Sequence, residues 1–225
     1  MIESWRDGVA CSKCWREVEE KSIEDVCAKC GMWLRPLQSR IEIIDRRCGR
    51  CEWLPFSFAR ACGPYQGAIR ENILRLKLIP HIPSPLQEAL RRTFAALPES
   101  HLIESIVPVP LHPERLAERG FNQAEIIARK LASMTSLRVD PISVIRVKKT
   151  ERHRAGMGAP ERARSLDKAF RVRAPRLVKD RAILIVDDVI TTGSTVSELA
   201  RTLLNSGARS VSVLTLARAM SEFIQ

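Results

Sequence analysis

Residues 183–195 read Ile-Leu-Ile-Val-Asp-Asp-Val-Ile-Thr-Thr-Gly-Ser-Thr. A parallel strand buried on both faces is a continuous apolar run, and residues 182–186 form one. Asp187 and Asp188 stand at its carboxyl end. Thr191, Thr192, Gly193, Ser194 and Thr195 then make a hydroxyl-rich turn that opens a helix. In that helix Val196, Leu199, Ala200, Leu203 and Leu204 recur at helical spacing, and Gly207 falls where a left-handed C-terminal cap is wanted. Residues 211–216 supply another apolar strand. The stretch is therefore expected to be a strand-helix-strand unit that binds its ligand at the carboxyl end of the first strand.

Two carboxylates at that end can accept hydrogen bonds from vicinal hydroxyls, while free N–H groups of the turn and the first helical turn face an anion. One sugar 5′-phosphate satisfies both halves, so the segment reads as a ribose-phosphate site. A nucleoside-triphosphate P-loop would need a lysine after its second glycine, and none follows Gly193. The competing readings are paired aspartates that bind Mg²⁺ and acids that are merely solvated.

The segment resembles the phosphoribosyl-pyrophosphate motif of type I phosphoribosyltransferases. Val107-Pro108-Val109-Pro110-Leu111 and Arg119-Gly120-Phe121-Asn122-Gln123 are similar to two further signatures of the ComF family, the ComFC-type competence proteins. Pro64-Tyr65-Gln66-Gly67, Leu76-Lys77 and Leu216-Ala217-Arg218 match the same pattern, so the resemblance runs from about Cys27 to Arg218. It implies an α/β fold of the type I phosphoribosyltransferase kind, a parallel sheet flanked by helices, with a small N-terminal zinc-ribbon module.

The resemblance also implies roles. Asp187 and Asp188 would hold the ribose 2′ and 3′ hydroxyls, Thr191, Thr192, Gly193, Ser194 and Thr195 would wrap the 5′-phosphate, and Val189 would belong to the same phosphoribosyl-pyrophosphate site. The loop after the strand at residues 106–110 would face the pyrophosphate, with Arg115 and Arg119 as its cations. Mg²⁺ in this fold is held chiefly by phosphoribosyl pyrophosphate itself. Arginine suits a leaving pyrophosphate because it stays ionised and offers a planar fork of donors. Arg119 is the stronger candidate and joins Asp187 and Asp188 in the catalytic set. It precedes the glycine of its motif, and Asn122 with Glu125 reads as a capping box that fixes a helix start. Alternatively, Arg115 and Arg119, four apart, form one solvated helical face.

Six of the seven cysteines form three C-x-x-C pairs in the first quarter of the chain: Cys11 with Cys14, Cys27 with Cys30, and Cys48 with Cys51. Such knuckles turn thiolates toward one tetrahedral ion. The 17 residues between Cys30 and Cys48 suit a zinc ribbon better than the 12 between Cys14 and Cys27. Cys27, Cys30, Cys48 and Cys51 are therefore the expected ligands of a structural Zn²⁺. The alternative is that Cys11 and Cys14 ligate and a later pair is idle. Relatives with four pairs and two zincs imply a double-zinc-ribbon-like origin for the first pair. Cys62 reads as a buried core thiol.

The expected organisation is a zinc module over residues 1–55 and a phosphoribosyltransferase-like domain over 56–225. A strand is expected at 56–61 and a helix from Ser84 as N-cap, with Pro85 in its first turn and Gln87 as capping partner. A second amphipathic helix is expected at 122–134. No run of about 18 apolar residues and no secretory pattern is present, which predicts a cytoplasmic protein without a membrane span.

Lysine and arginine number 37 against 26 acids, for a net charge of +11. Residues 146–181 hold thirteen basic and four acidic residues, +9 of that excess. Such a stretch suits an anionic ligand or a nucleic-acid backbone, although Phe170 is its sole aromatic for base stacking; the alternative is a solvated loop. In the resembled enzymes a mobile loop closes over the reaction centre where residues 148–164 fall here. ComF relatives show Thr-x-x-Gln and then Arg-x-x-Asn in it; here Thr150 is followed by His153, and Arg162 by Ser165.

Two functions follow. One is a phosphoribosyl-pyrophosphate and Mg²⁺ binding protein linked to DNA uptake and natural transformation, with single-stranded DNA and the competence helicase machinery as implied partners. The other is an active phosphoribosyltransferase or hydrolase of nucleotide salvage without a DNA role.

Overall fold

The computed structural model describes residues 8–20, 26–34, 46–49, 51–149 and 166–219. In chain order the elements are α1 (Ser12–Glu20), β1 (Ala59–Ala61), α2 (Gly67–Leu76), α3 (Ser84–Ala95), β2 (Ser105–Pro108), α4 (Pro113–Arg119) and α5 (Gln123–Thr135). They continue with β3 (Arg138–Val139), β4 (Val144–Arg146), β5 (Phe170–Val172), β6 (Ala182–Ile190), α6 (Ser194–Asn205) and β7 (Ser210–Arg218). Five strands form a parallel sheet in the order β1-β7-β6-β2-β3, and β4 pairs antiparallel with β5 apart from it.

The period of two along a strand divides the core into two layers. Ile183 and Ile185 of β6, with Val211 and Val213 of β7, pack in one cluster with Val196, Leu199, Ala200 and Leu203 of α6. Leu184 and Val186, with Leu214 and Leu216, pack in the other with residues of α2, α3 and α5. The continuous apolar runs seen in the sequence are thus strands covered on both faces. The four cysteines Cys27, Cys30, Cys48 and Cys51 belong to the α6 side of the sheet.

Helix ends explain the local geometry. At the end of α6 the Gly207 N–H donates to the Leu204 carbonyl and the Ala208 N–H to the Leu203 carbonyl, with Gly207 at φ +92°. This is a Schellman cap of the kind expected from Gly207. The Asn122 side chain caps α5 by accepting from the Ala124 N–H at 3.1 Å. Its expected capping-box partner is engaged elsewhere, since the Glu125 carboxylate accepts from Arg129 one turn on. In α3 the N-cap is Pro83 rather than Ser84, and Pro85 lies in the first turn. The Gln87 side chain there donates to the Ile82 carbonyl, which anchors the helix start by a different route. The strand expected at 56–61 shortens to β1, while Phe56 is buried beside it.

Chain order places the site. From β2 the chain passes through α5 outward to β3; from β6 it passes through α6 in the opposite direction to β7. The gap between the carboxyl ends of β2 and β6 is therefore the topological switch point, where open α/β sheets bind ligands. The β2–β6 pairing ends at Pro108 opposite Val186, whereas β6 continues beside β7 to Ile190 opposite Arg218. Asp187 and Asp188 thus lie on a stretch of β6 that overhangs β2.

Candidate functional site

Consecutive strand residues point to opposite faces, and the two acids do so here. Asp188 is buried on the side of α2 and α5, with Lys77 Nζ at 3.6 Å from its Oδ2 and Gln123 Nε2 at 3.5 Å. Arg119, the last residue of α4, donates to the Gln123 side chain. The sequence-derived cation is therefore tied to the acid pair through an amide. Asp187 feels Arg146 of β4 on the other side, and the Asp188 N–H donates to its Oδ1 at 2.9 Å. Burial and then the adjacent Asp188 carboxylate push the Asp187 carboxyl well above the usual carboxylate range, with Arg146 opposing both.

The turn that follows is shaped by one glycine. Gly193 is the N-cap of α6 at φ +80°, a left-handed conformation that side-chain-bearing residues rarely adopt. Thr192 Oγ1 and Ser194 Oγ lie 2.9 Å apart, and Thr192 Oγ1 also receives the Ser194 N–H at 3.4 Å. Thr191 and Thr192 are exposed, and Ser194 and Thr195 are half-buried. The Val189 N–H is occupied by Asp188 Oδ1 at 2.8 Å. Hydroxyls and the first N–H groups of α6 thus collect at the switch point, a setting for an anion.

Arg146, Lys77 and Gln123 did not stand out as site residues in the sequence. Arg146 lies over the Phe170 ring at 5.6 Å, and Arg115 on α4 is close enough to oppose its charge. Burial is the largest influence on Arg146 and lowers its pKa. Phe170 is 5% exposed, so it is a floor for Arg146 and not a platform for stacking bases. Lys149, just beyond β4, pairs with Glu114 of α4 and brings the start of the basic segment beside the candidate site. Thr150, His153, Arg162 and Ser165, with the rest of the expected mobile loop from Thr150 onward, lie outside the described residues.

Cys27, Cys30, Cys48 and Cys51 form the second centre. All four are buried, and their sulfurs lie within 4.8 Å of one another. Cys27 Sγ is 3.5 Å from Cys51 Sγ, and Cys30 Sγ is 3.4 Å from Cys48 Sγ. Tetrahedral zinc with four thiolates at about 2.3 Å spaces sulfurs about 3.8 Å apart, so the donor set fits Zn²⁺. The Cys48 N–H donates to Cys27 Sγ at 3.2 Å. The Cys27 thiol is pulled down to about 4, first by the Cys30 thiol and also by the N–H groups of Cys30 and Cys48. Burial is the main cause that pushes Cys51 up to about 12. Cys11 and Cys14 lie 3.5 Å apart at the start of α1 and do not belong to this cluster. Cys62 is a buried thiol, pushed up to about 12 by burial.

Residues 116–223 match the model of the phosphoribosyl transferase domain. The chain is 34% identical over 221 residues to the DNA utilization protein YhgH of Escherichia coli, covering 93% of this chain and 90% of that protein. It is 30% identical to competence protein F of Haemophilus influenzae over 217 residues, with 93% and 90% coverage. The chain belongs to the ComF family. Another relative in that group is the competence protein ComFC of Bacillus subtilis, 28% identical over 218 residues, covering 94% of this chain and 78% of that protein. The ComF chain carries the type I phosphoribosyltransferase fold, with a cysteine module at its N-terminal side. A solved structure, the glutamine phosphoribosylpyrophosphate amidotransferase of B. subtilis complexed with ADP and GMP, matches with a TM-score of 0.39 and 17% identity. That match covers 58% of the ComF chain and 26% of the longer enzyme. Among the described residues no helix is long and apolar enough to cross a membrane.

Proposed function

We propose that this chain binds phosphoribosyl pyrophosphate with Mg²⁺ at the switch point between β2 and β6 and serves in the cytoplasmic handling of DNA taken up during transformation. The observation that carries the ligand assignment is the left-handed Gly193 at the start of α6, directly after the overhanging acids of β6. A 5′-phosphate would take the N–H groups of that helix start together with the hydroxyls of Thr191, Thr192, Ser194 and Thr195. Asp187 and Asp188 would accept from the ribose hydroxyls, one from each face of the strand. Arg119, Arg115 and Arg146 supply cations for the pyrophosphate. Mg²⁺ would arrive with the ligand and screen its phosphates. The names of the relatives, competence protein F, ComFC and DNA utilization protein, support the DNA role.

A second reading is transfer or hydrolysis at the anomeric carbon. It is favoured by Arg119 standing one amide away from Asp188, where a leaving pyrophosphate could be neutralised. Calorimetry with phosphoribosyl pyrophosphate and Mg²⁺ tests the site. A hydrogen bond to a charged group contributes about 1.5–3 kcal/mol, so Asp187→Asn or Asp188→Asn should weaken binding roughly ten- to hundred-fold. Thr192→Ala should cost less. Wild-type affinity in both Asn variants would remove the ligand from this segment.

A further inference from the structure

Two arginines hold the Cys27–Cys30 knuckle from the sheet side. Arg218 Nη1 donates to the Cys30 carbonyl at 2.7 Å, and Arg60 donates to the Ala28 carbonyl at 2.8 Å through Nη2 and to its neighbour Ala59 through Nη1. Arg218 is 3% exposed. Among the described residues no carboxylate pairs with it, and its Nε has no hydrogen-bond partner. A buried, unpaired guanidinium is costly unless an opposite charge stands near it. Four thiolates around a divalent ion carry a net charge of about −2, and two guanidiniums balance it.

We propose that Arg218 and Arg60 are the counter-charges of a tetrathiolate zinc centre, and that Arg218 is the positioning residue coupling the loading of that centre to order in the turn at residues 191–195. The covalent path is short. Arg218 is opposite Ile190 in the β6–β7 ladder, the Ala219 N–H donates to the Ile190 carbonyl at 2.9 Å, and Thr191 follows Ile190 directly. On its other edge the Arg218 backbone is fixed by Gly63 and Tyr65 at 3.0 and 2.8 Å. With zinc bound, the guanidinium is held between the knuckle and the end of β7. Without it the Cys27–Cys30 knuckle that receives the Arg218 guanidinium is no longer fixed by the ion, and the ends of β7 and β6 loosen. This coupling does not rest on the ribose-phosphate assignment.

The full chain tests it by Zn²⁺ competition against Co²⁺, whose thiolate absorption reports occupancy, together with hydrogen exchange of residues 190–196. Loss of a hydrogen-bonded partner outside the ligand set typically costs about 10–100-fold in metal affinity. Arg218→Met should show that loss, Arg218→Lys should recover part of it, and Arg60→Met should weaken binding less. Chelator-treated wild type should exchange faster at 190–196 while α5 keeps its protection. Wild-type zinc affinity in Arg218→Met overturns the counter-charge. Equal exchange at 190–196 in loaded and stripped wild type, or a rise that includes α5, overturns the coupling even if Arg218→Met does not fold.

Discussion

Asp187 and Asp188 are joined by one peptide bond yet face opposite layers of the protein, Asp188 toward Lys77 and Gln123 and Asp187 toward Arg146. The Asp188 N–H donates to the Asp187 carboxylate across that bond. Lys77 stands beside Asp188, while burial and the neighbouring carboxylate penalise Asp187 for ionising. The pair therefore carries less negative charge in the free protein than two solvated acids would. A ligand that brings hydroxyls and cations supplies what Asp187 lacks.

A consequence is measurable as stability against pH. The Asp187 pKa is raised on folding, so between its unfolded value and the raised folded value the native state binds more protons than the unfolded state. Stability then falls as pH rises through that window, and the penalty is absent below it. Asp187→Asn should raise the Tm of ligand-free protein at neutral pH, and the gain should shrink as pH approaches 4. The same variant should bind phosphoribosyl pyrophosphate more weakly. A pH-independent loss of Tm would show that the site does not store this cost.

The cysteine pairs should divide by substitution. Cys30→Ser or Cys48→Ser should abolish stoichiometric zinc, whereas Cys11→Ser and Cys14→Ser should leave it intact, because only the later pairs converge among the described residues. Structural zinc in small modules contributes about 10–16 kcal/mol of apparent binding energy, so its loss should also lower thermal stability. Elemental analysis decides the point. Zinc retained in both Cys30→Ser and Cys48→Ser would shift the site elsewhere.

Much of this was legible in the sequence because it is local. Apolar runs, helical spacing and Gly207 lead to β6, α6 and β7, and the C-x-x-C spacing leads to the four converging sulfurs. Partners brought in by topology were not legible. Lys77 reaches Asp188 from α2, and Arg146 reaches Asp187 from a separate hairpin; no periodicity links those positions. The helix starts were half legible. Pro83 took the cap expected of Ser84, and Arg129 drew away the Glu125 carboxylate, since one-turn ion pairs compete with capping.

Two glycines with similar backbone should respond differently to a methyl group. Gly31 has φ +66°, and an added Cβ would lie 2.6 Å from the Ala59 carbonyl oxygen. Gly193 has φ +80°, with its nearest neighbour at 3.8 Å on the flexible Ile190 side chain. Left-handed backbone costs a side-chain-bearing residue about 1–2 kcal/mol, so Gly193→Ala should lose about that much in urea denaturation. Gly31→Ala should lose more, because the knuckle must move off β1. Equal losses would mean that the knuckle shifts freely against the sheet.

The basic segment separates the two functional readings. If residues 146–181 track a nucleic-acid backbone, single-stranded DNA affinity should fall steeply with salt, with a logarithmic slope of about −0.7 per neutralised phosphate. Reversing Lys148, Lys149 and Arg152 to glutamate should then flatten that slope by roughly 2 units. Lys149 already pairs with Glu114, so it should contribute least of the three. If the segment instead closes over a reacting ligand, the same changes should leave DNA binding weak throughout. They should slow release of pyrophosphate from phosphoribosyl pyrophosphate, because cations on the leaving group act in the transition state. Salt-insensitive DNA binding together with measurable turnover would sink the nucleic-acid role. A steep slope without pyrophosphate release from phosphoribosyl pyrophosphate in the presence of any common base would leave the pocket as a sensor of phosphoribosyl pyrophosphate on a DNA-handling protein.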